Sequence, residues 1–228
     1  SIRDGGACFN LNSVVEGRND LFMRRELGVE QFTALAGALG LTQGQALADS
    51  LADWIDTDSF REGRGGEDEA YAAGAQPYRT GGVLLAEVSE LRAIRGFTPE
   101  VYTRLRPYVC ALPTSDLSPI NLNTVPADRP ELITMLTSGA VGPDTARQIL
   151  RARPAGGWAS ATDFWILPAV ARANVADAAL DQARVSTRFF ALSAEVRHVD
   201  AEVVLSTVLE QTPAGPVRVR ARRWTYDE

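Results

Sequence analysis

The chain has 228 residues, 45% of them hydrophobic, which is enough to bury a core in one large domain or two modest ones. Lys and Arg number 23 against 29 Asp and Glu, a net charge of -6 that argues against general attraction to nucleic acid or an anionic membrane surface. No apolar run approaches the roughly 18–20 residues of a membrane span, and the start at Ser1 has neither the charged region nor the apolar region of a signal peptide, so the sequence reads as an ectodomain.

In chain order, ACFNLNSVV (Ala7 to Val15) reads as a short strand or extended arm, with Phe9 and Leu11 on one face and asparagines on the other. Cys8 and Cys110 are too few and too far apart for a zinc cluster; they are either one long-range disulfide or two buried thiols. From Leu21 to Leu39 the apolar spacing predicts one or two helices, with Gly40 as a stop and Thr42 as a cap for the next. Leu47, Leu51, Trp54 and Ile55 then predict an amphipathic helix over about Gln45 to Ile55.

Asp53, Asp56 and Asp58 fall at the C-terminal end of that helix, where the dipole favours a cation, so something positive is expected nearby. Glu62, Glu67, Asp68 and Glu69 follow within a loop carrying Gly63, Gly65 and Gly66, against only Arg61 and Arg64. Hard oxygen donors on a glycine-containing loop suit calcium, although the spacing is not that of an EF-hand. A solvated acidic loop is the other reading of the same residues. Pro77 and the Gly81–Gly82 pair mark the exit.

Val88 to Val109 and Pro130 to Arg153 both read as helix, glycine-containing turn, helix, a weak internal duplication. Ser89 is placed to cap the first helix, Thr98 with Pro99 opens the second, and Pro143 opens the corresponding helix of the later copy. The linker between them contains INLNT (Ile120 to Thr124). Ala161 to Arg184 reads as a last helical region, with the Trp158, Phe164, Trp165, Ile166 and Leu167 cluster expected to pack in the core. After Arg184 the period changes to two, predicting three antiparallel strands with turns at His198–Asp200 and Thr212–Pro216.

Phosphate-binding glycine motifs, nucleophile elbows and metalloprotease motifs are all missing, and the sole histidine, His198, lies in a predicted turn; the chain does not read as an enzyme. INLNTVP with the following helical hairpin and Arg147, Arg151 and Arg153 resembles helix-hairpin-helix DNA-binding proteins, which makes a DNA-binding protein the alternative function. A compact way of packing two helices is the competing explanation, and the acidic chain favours it.

A second resemblance runs nearly the full length. FNLN, DWIDTD, GEDEAY, PYRTGG, the S-E-L-x-x-I-x-G segment at Ser89 to Gly96, INLNT and the closing β run stand in the order seen in general secretion pathway protein K, the large minor pseudopilin of type II secretion systems. The resemblance implies an α+β fold: a pilin-like antiparallel sheet domain from residues 1–20 and 186–228, with an all-helical insertion over 21–185 containing helix-hairpin-helix-like units. It implies calcium in the acidic loop, with Asp56, Asp58, Glu67, Asp68 and Glu69 as ligands; Asp53, still on the helix, and Glu62, between two arginines, suit the role less well. It also implies an inner-membrane-anchored protein whose periplasmic domain sits at the pseudopilus tip with I and J class minor pseudopilins and meets secreted substrates. Nucleic acid is not an expected partner, and the membrane is reached only through an N-terminal hydrophobic helix that this sequence lacks. The periplasm favours the Cys8–Cys110 disulfide. Two departures are the wider NTVPADRPEL spacing and the Arg-rich tail RVRARRW.

Overall fold

The computed structural model describes residues 1–73, 76–199, 201–212 and 215–224, so parts of both predicted late turns, at Asp200 and at Pro213 and Ala214, lie outside the described residues. Strand β1 (Ile2–Asp4) is followed by β2 (Phe9–Asn10) and a 3-10 helix, Leu11–Val14. The expected extended arm is thus broken after two residues, because Asn10 turns its side chain onto the Asn12 N–H and caps the 3-10 turn. Strands β3 (Val15–Arg18) and β4 (Leu21–Arg24) form an antiparallel hairpin where a helix was predicted from Leu21. Its turn residues Asn19 and Asp20 both have positive φ, 54° and 59°, the conformation that tight hairpins require and that these two residue types tolerate.

Helix α1 (Glu26–Ala38) follows, and Gly40, at φ 73°, ends it as expected. Helix α2 (Gly44–Ile55) begins from Gln43, not Thr42, without a side-chain cap. Its stripe is wider than the sequence suggests, since Asp49 and Asp53 are buried alongside Leu47, Leu51 and Ile55. Helix α3 (Asp68–Ala72) lies within the acidic loop. The segment Val88–Ala93 is a 3-10 helix with Glu87 as its cap, displacing Ser89, because Glu87 and Glu90 form a reciprocal capping box. Thr98 and Pro99 do open α4 (Pro99–Leu105).

Strand β5 (Val109–Cys110) pairs in parallel with β2, and the Cys8–Cys110 disulfide closes beside that pair with an S–S distance of 2.04 Å. Strand β6 (Ile120–Asn121) precedes α5 (Glu131–Leu136) and α6 (Pro143–Arg151), which are joined through Gly139 at φ 86°. The last helical region is three short helices, α7 (Ala161–Trp165), α8 (Pro168–Ala171) and α9 (Asp177–Leu180), ending in β7 (Ala183–Arg184), which pairs in parallel with β6. Pro168 explains one of these breaks, since it cannot continue a preceding helix.

Strands β8 (Phe189–His198), β9 (Ala201–Glu210) and β10 (Arg218–Trp224) form the predicted antiparallel run, and β1 adds to its edge in the order β1-β8-β9-β10. The protein is therefore mixed helix and sheet, with an antiparallel sheet built from both ends of the chain. The main hydrophobic cluster runs from Phe9 to Ala183 and includes Phe32, Leu35, Leu47, Leu51 and Leu132; none of its members belongs to the four-stranded sheet. Of the first twenty residues, Ile2–Asp4 join the sheet, whereas Phe9, Leu11, Val14 and Val15 pack with the helices.

Candidate metal centre

Helix α2 delivers Asp53 and Asp56 to the start of a loop that returns to the same helix. The N–H groups of Gly81 and Gly82 both donate to the Trp54 carbonyl, at 3.1 and 3.0 Å, which satisfies an orphan acceptor of the helix end and closes the loop. Trp54, Tyr71 and Tyr78 pack together beneath it, with ring centroids 5.2 to 6.1 Å apart. Gly65 is required by the path of the loop: a Cβ there would lie 2.2 Å from an Asp53 carboxylate oxygen. Asp53 accepts from the Glu62 N–H at 3.2 Å, and Asp49 accepts from the Arg64 N–H at 3.0 Å while pairing with Arg24 at 3.0 Å.

Asp56, Asp58 and Glu67 converge, each offering a carboxylate oxygen within 4.8 Å of the others. Asp56 and Glu67 are buried, and Asp56 Oδ1 and Glu67 Oε1 have no hydrogen-bond partner. Asp58 is exposed and accepts from the Phe60 N–H at 2.7 Å. No ion pair reaches any of the three among the described residues. Burial first, then the neighbouring carboxylates, push Asp56 up to about 8 and Glu67 up to about 7. Burial also raises Asp53 to about 6. Two orphaned buried oxygens among repelling carboxylates are a costly arrangement alone and a suitable donor set for a hard divalent cation.

Of the five predicted ligands, Asp68 and Glu69 lie outside this group. They occupy the first turn of α3, and successive helical residues point about 100° apart. Asp68 accepts from both the backbone N–H and the hydroxyl of Thr80 at 3.0 Å, with Arg79 3.8 Å away, and so fastens the loop exit. Glu69 is exposed.

The sequence motifs beside the loop are structural clamps. Asn12 donates to the carbonyls of Leu85 and Leu112 and accepts from the Leu85 N–H. Asn123 grips Trp158 in the same two-bond manner. In the α5–α6 hairpin, Arg147 pairs with Asp144 at 2.6 Å, and Arg153 donates to the carbonyls of Leu122 and Val125 at 2.8 and 3.0 Å. Arg151 is the exposed one of the three arginines considered for phosphate contact. His198 is exposed at the end of β8. No helix among the described residues is long and apolar enough to cross a membrane.

Comparison with known proteins agrees with this architecture. The family described as Type II secretion system (T2SS), protein K, matches twice, over residues 7–114 and 120–186. Type II secretion system protein K of Klebsiella pneumoniae is 38% identical over 193 residues, covering 84% of this chain and 59% of that protein. The protein of the same name from Pseudomonas aeruginosa is 34% identical over 224 residues, covering 97% and 63%. The chain thus spans about three-fifths of the length of these relatives. Among solved structures, the crystal structure of the GspK-GspI-GspJ complex from the enterotoxigenic Escherichia coli type 2 secretion system matches with a TM-score of 0.82 and 27% identity, covering all of this chain and 79% of that one. By sequence and by fold, the chain belongs to the type II secretion system protein K family.

Proposed function

We propose that the chain is the periplasmic head of a minor pseudopilin that caps the type II secretion pseudopilus, together with I and J class minor pseudopilins, and helps to initiate its assembly for export of folded proteins across the outer membrane. The observation that carries this reading is the likeness over the whole chain to a protein solved in a GspK-GspI-GspJ complex. Sterics support the end position. A pilin-like subunit adds its neighbours through a repeating heterologous contact, and that contact propagates only if each subunit leaves its upper face free. Here the hydrophobic cluster of the helical part, including its helix-hairpin-helix-like α5–α6 pair, outweighs the four-stranded sheet that would make lateral contacts.

One face of the sheet supports membrane anchoring through a preceding helix. Ile2, Val196 and Trp224 are 67%, 62% and 66% exposed, and the strand register places them on one face with Leu192, Ala194 and Leu205. Such an apolar face needs a cover, and the N-terminal hydrophobic helix expected of the family supplies one.

Calcium is the cation assigned to the acidic loop. Asp56, Asp58 and Glu67 would hold it, and the bound charge would offset their repulsion and stiffen the loop between Trp54 and Gly82. The role is structural, with no reaction assigned. Mixing the head with the corresponding heads of I and J class pseudopilins tests the reading: a discrete heterotrimer supports it, and failure to associate with or without calcium overturns it.

A further inference from the structure

A cleft of about 570 Å³ lies between the sheet and the segment that carries the disulfide. Strand register builds its floor. Arg3, Ala191, Val208 and Ala221 form one cross-strand row, and Ser193, Ser206 and Arg223 form the next. The small side chains of these rows keep the floor low, while Arg106, Pro107, the Cys8–Cys110 bridge and Leu112 make up the facing wall.

The lining charges are unbalanced in a chain that is acidic overall. Arg3, Arg106, Arg129 and Arg223 face the cleft with only Asp4 and Glu87 as acidic residues. Both carboxylates are already engaged. Asp4 accepts from the Gly6 N–H at 2.7 Å, from the Thr187 hydroxyl at 2.8 Å and from Thr124, and Glu87 pairs with Arg223 at 3.0 Å. The Arg3 guanidinium has no hydrogen bond or ion pair among the described residues, and Arg129 donates to the Pro107 carbonyl at 2.8 Å and lies 5.9 Å from the centre of the Tyr108 ring, leaving most of its fork of donors for a ligand. Guanidinium groups recognise carboxylates through paired hydrogen bonds, and the same cleft is lined by apolar Val88, Leu112 and Val208 and by the hydroxyl-bearing Ser193 and Ser206. The volume falls in the range of roughly 300–1,000 Å³ typical of ligand sites. A small free anion would use one arginine and leave the rest of the cleft wet.

We propose that this cleft docks an acidic, extended segment of another polypeptide, with carboxylates on Arg3 and Arg129. It lies apart from the Asp56, Asp58 and Glu67 group, so docking does not depend on the cation or on the assignment to the secretion tip.

The test is selection of short linear peptides from a random phage-displayed library on the intact chain, followed by fluorescence anisotropy with the winning synthetic peptides. The expected result is enrichment in Asp and Glu, with affinity that falls at high salt and drops about tenfold or more in R3E/R129E. R218E, outside the cleft, should bind as the unaltered protein does. R3E alone, at a residue with no internal partner, gives the same direction of change should the double variant melt early. Peptides without acidic enrichment, or acidic peptides that bind R3E as tightly as the unaltered protein, overturn the proposal.

Discussion

The Asn123 side chain holds both backbone polar groups of Trp158: Oδ1 accepts from the Trp158 N–H at 2.8 Å, and Nδ2 donates to the Trp158 carbonyl at 3.0 Å. Asn12 does the same to Leu85, at 2.8 and 2.9 Å. Each asparagine ends an N-L-N triplet that opens with a short parallel strand pair, β2 with β5 and β6 with β7. The two triplets are therefore alike in structure as well as in sequence: each begins on a short parallel strand pair and ends in an asparagine clamp.

Removing a clamp leaves buried backbone groups unmade, which costs more than the lost bonds themselves. Asn12→Ala should destabilise the protein by roughly 2–4 kcal/mol in urea titration. Asn123→Ala should cost less, because Asn123 is only half-buried whereas Asn12 is fully buried. Equal melting of both variants and the unaltered protein would make the triplets ornamental.

The Cys8–Cys110 bridge spans 102 residues and joins the residue just before β2 to the end of β5. Closing a loop of that length contributes up to about 4–5 kcal/mol in the chain-entropy model. The double Cys→Ser variant should unfold at clearly lower denaturant, and intact mass should show two fewer hydrogens in the native protein than after reduction. Two free thiols in the native protein would contradict the bridge.

Cation binding should be visible in loop proteolysis. With calcium, the segment from Asp56 to Gly82 should resist trypsin, which has Arg61, Arg64 and Arg79 as sites; with chelator, cleavage there should rise while the sheet stays folded. Asp56→Ala with Glu67→Ala should abolish the calcium response, whereas Glu69→Ala should leave it in place. Terbium offers a direct readout, because Trp54 lies two residues from Asp56 and can sensitise its emission. Unchanged cleavage and no sensitised emission would reduce the segment to a solvated loop.

The raised carboxyls fix the sign of a pH effect. Without cation, the folded protein keeps protons on Asp56 and Glu67 that the unfolded chain gives up near pH 4, so it binds more protons than the unfolded state. That stability is fully present below the ordinary carboxylate range and is lost as pH rises through about 7 to 8. Chelated protein should melt lower at pH 8 than at pH 6, and calcium should remove most of the difference, releasing protons as it binds. A higher melting temperature at pH 8 in chelator would contradict the raised values.

How far the sequence reveals this depends on whether a signal is local. The alternation from Phe189 to Trp224 and the apolar stripe of α2 are local, and both elements stand where periodicity puts them. The β3–β4 hairpin was hidden because Leu21 and Phe22 fit a helical period, and only the Asn19–Asp20 pair signalled a turn. In the acidic loop the carboxylates were legible as a cluster. Their sorting was not, since Glu67 turns inward at the N-cap of α3 while Asp68 and Glu69, the next two residues, turn away. Nor could periodicity show that Arg153 spends its donors on Leu122 and Val125 and is withdrawn from phosphate contact.

The central claim is a one-copy place at the pseudopilus tip, and sedimentation velocity of mixed heads tests it most directly. The chain alone should stay a monomer across a wide concentration range, and mixed with the I and J class heads it should give a single species with the mass of one copy of each. A series of homopolymers growing with concentration, or three components sedimenting independently in calcium and in chelator alike, would contradict the account.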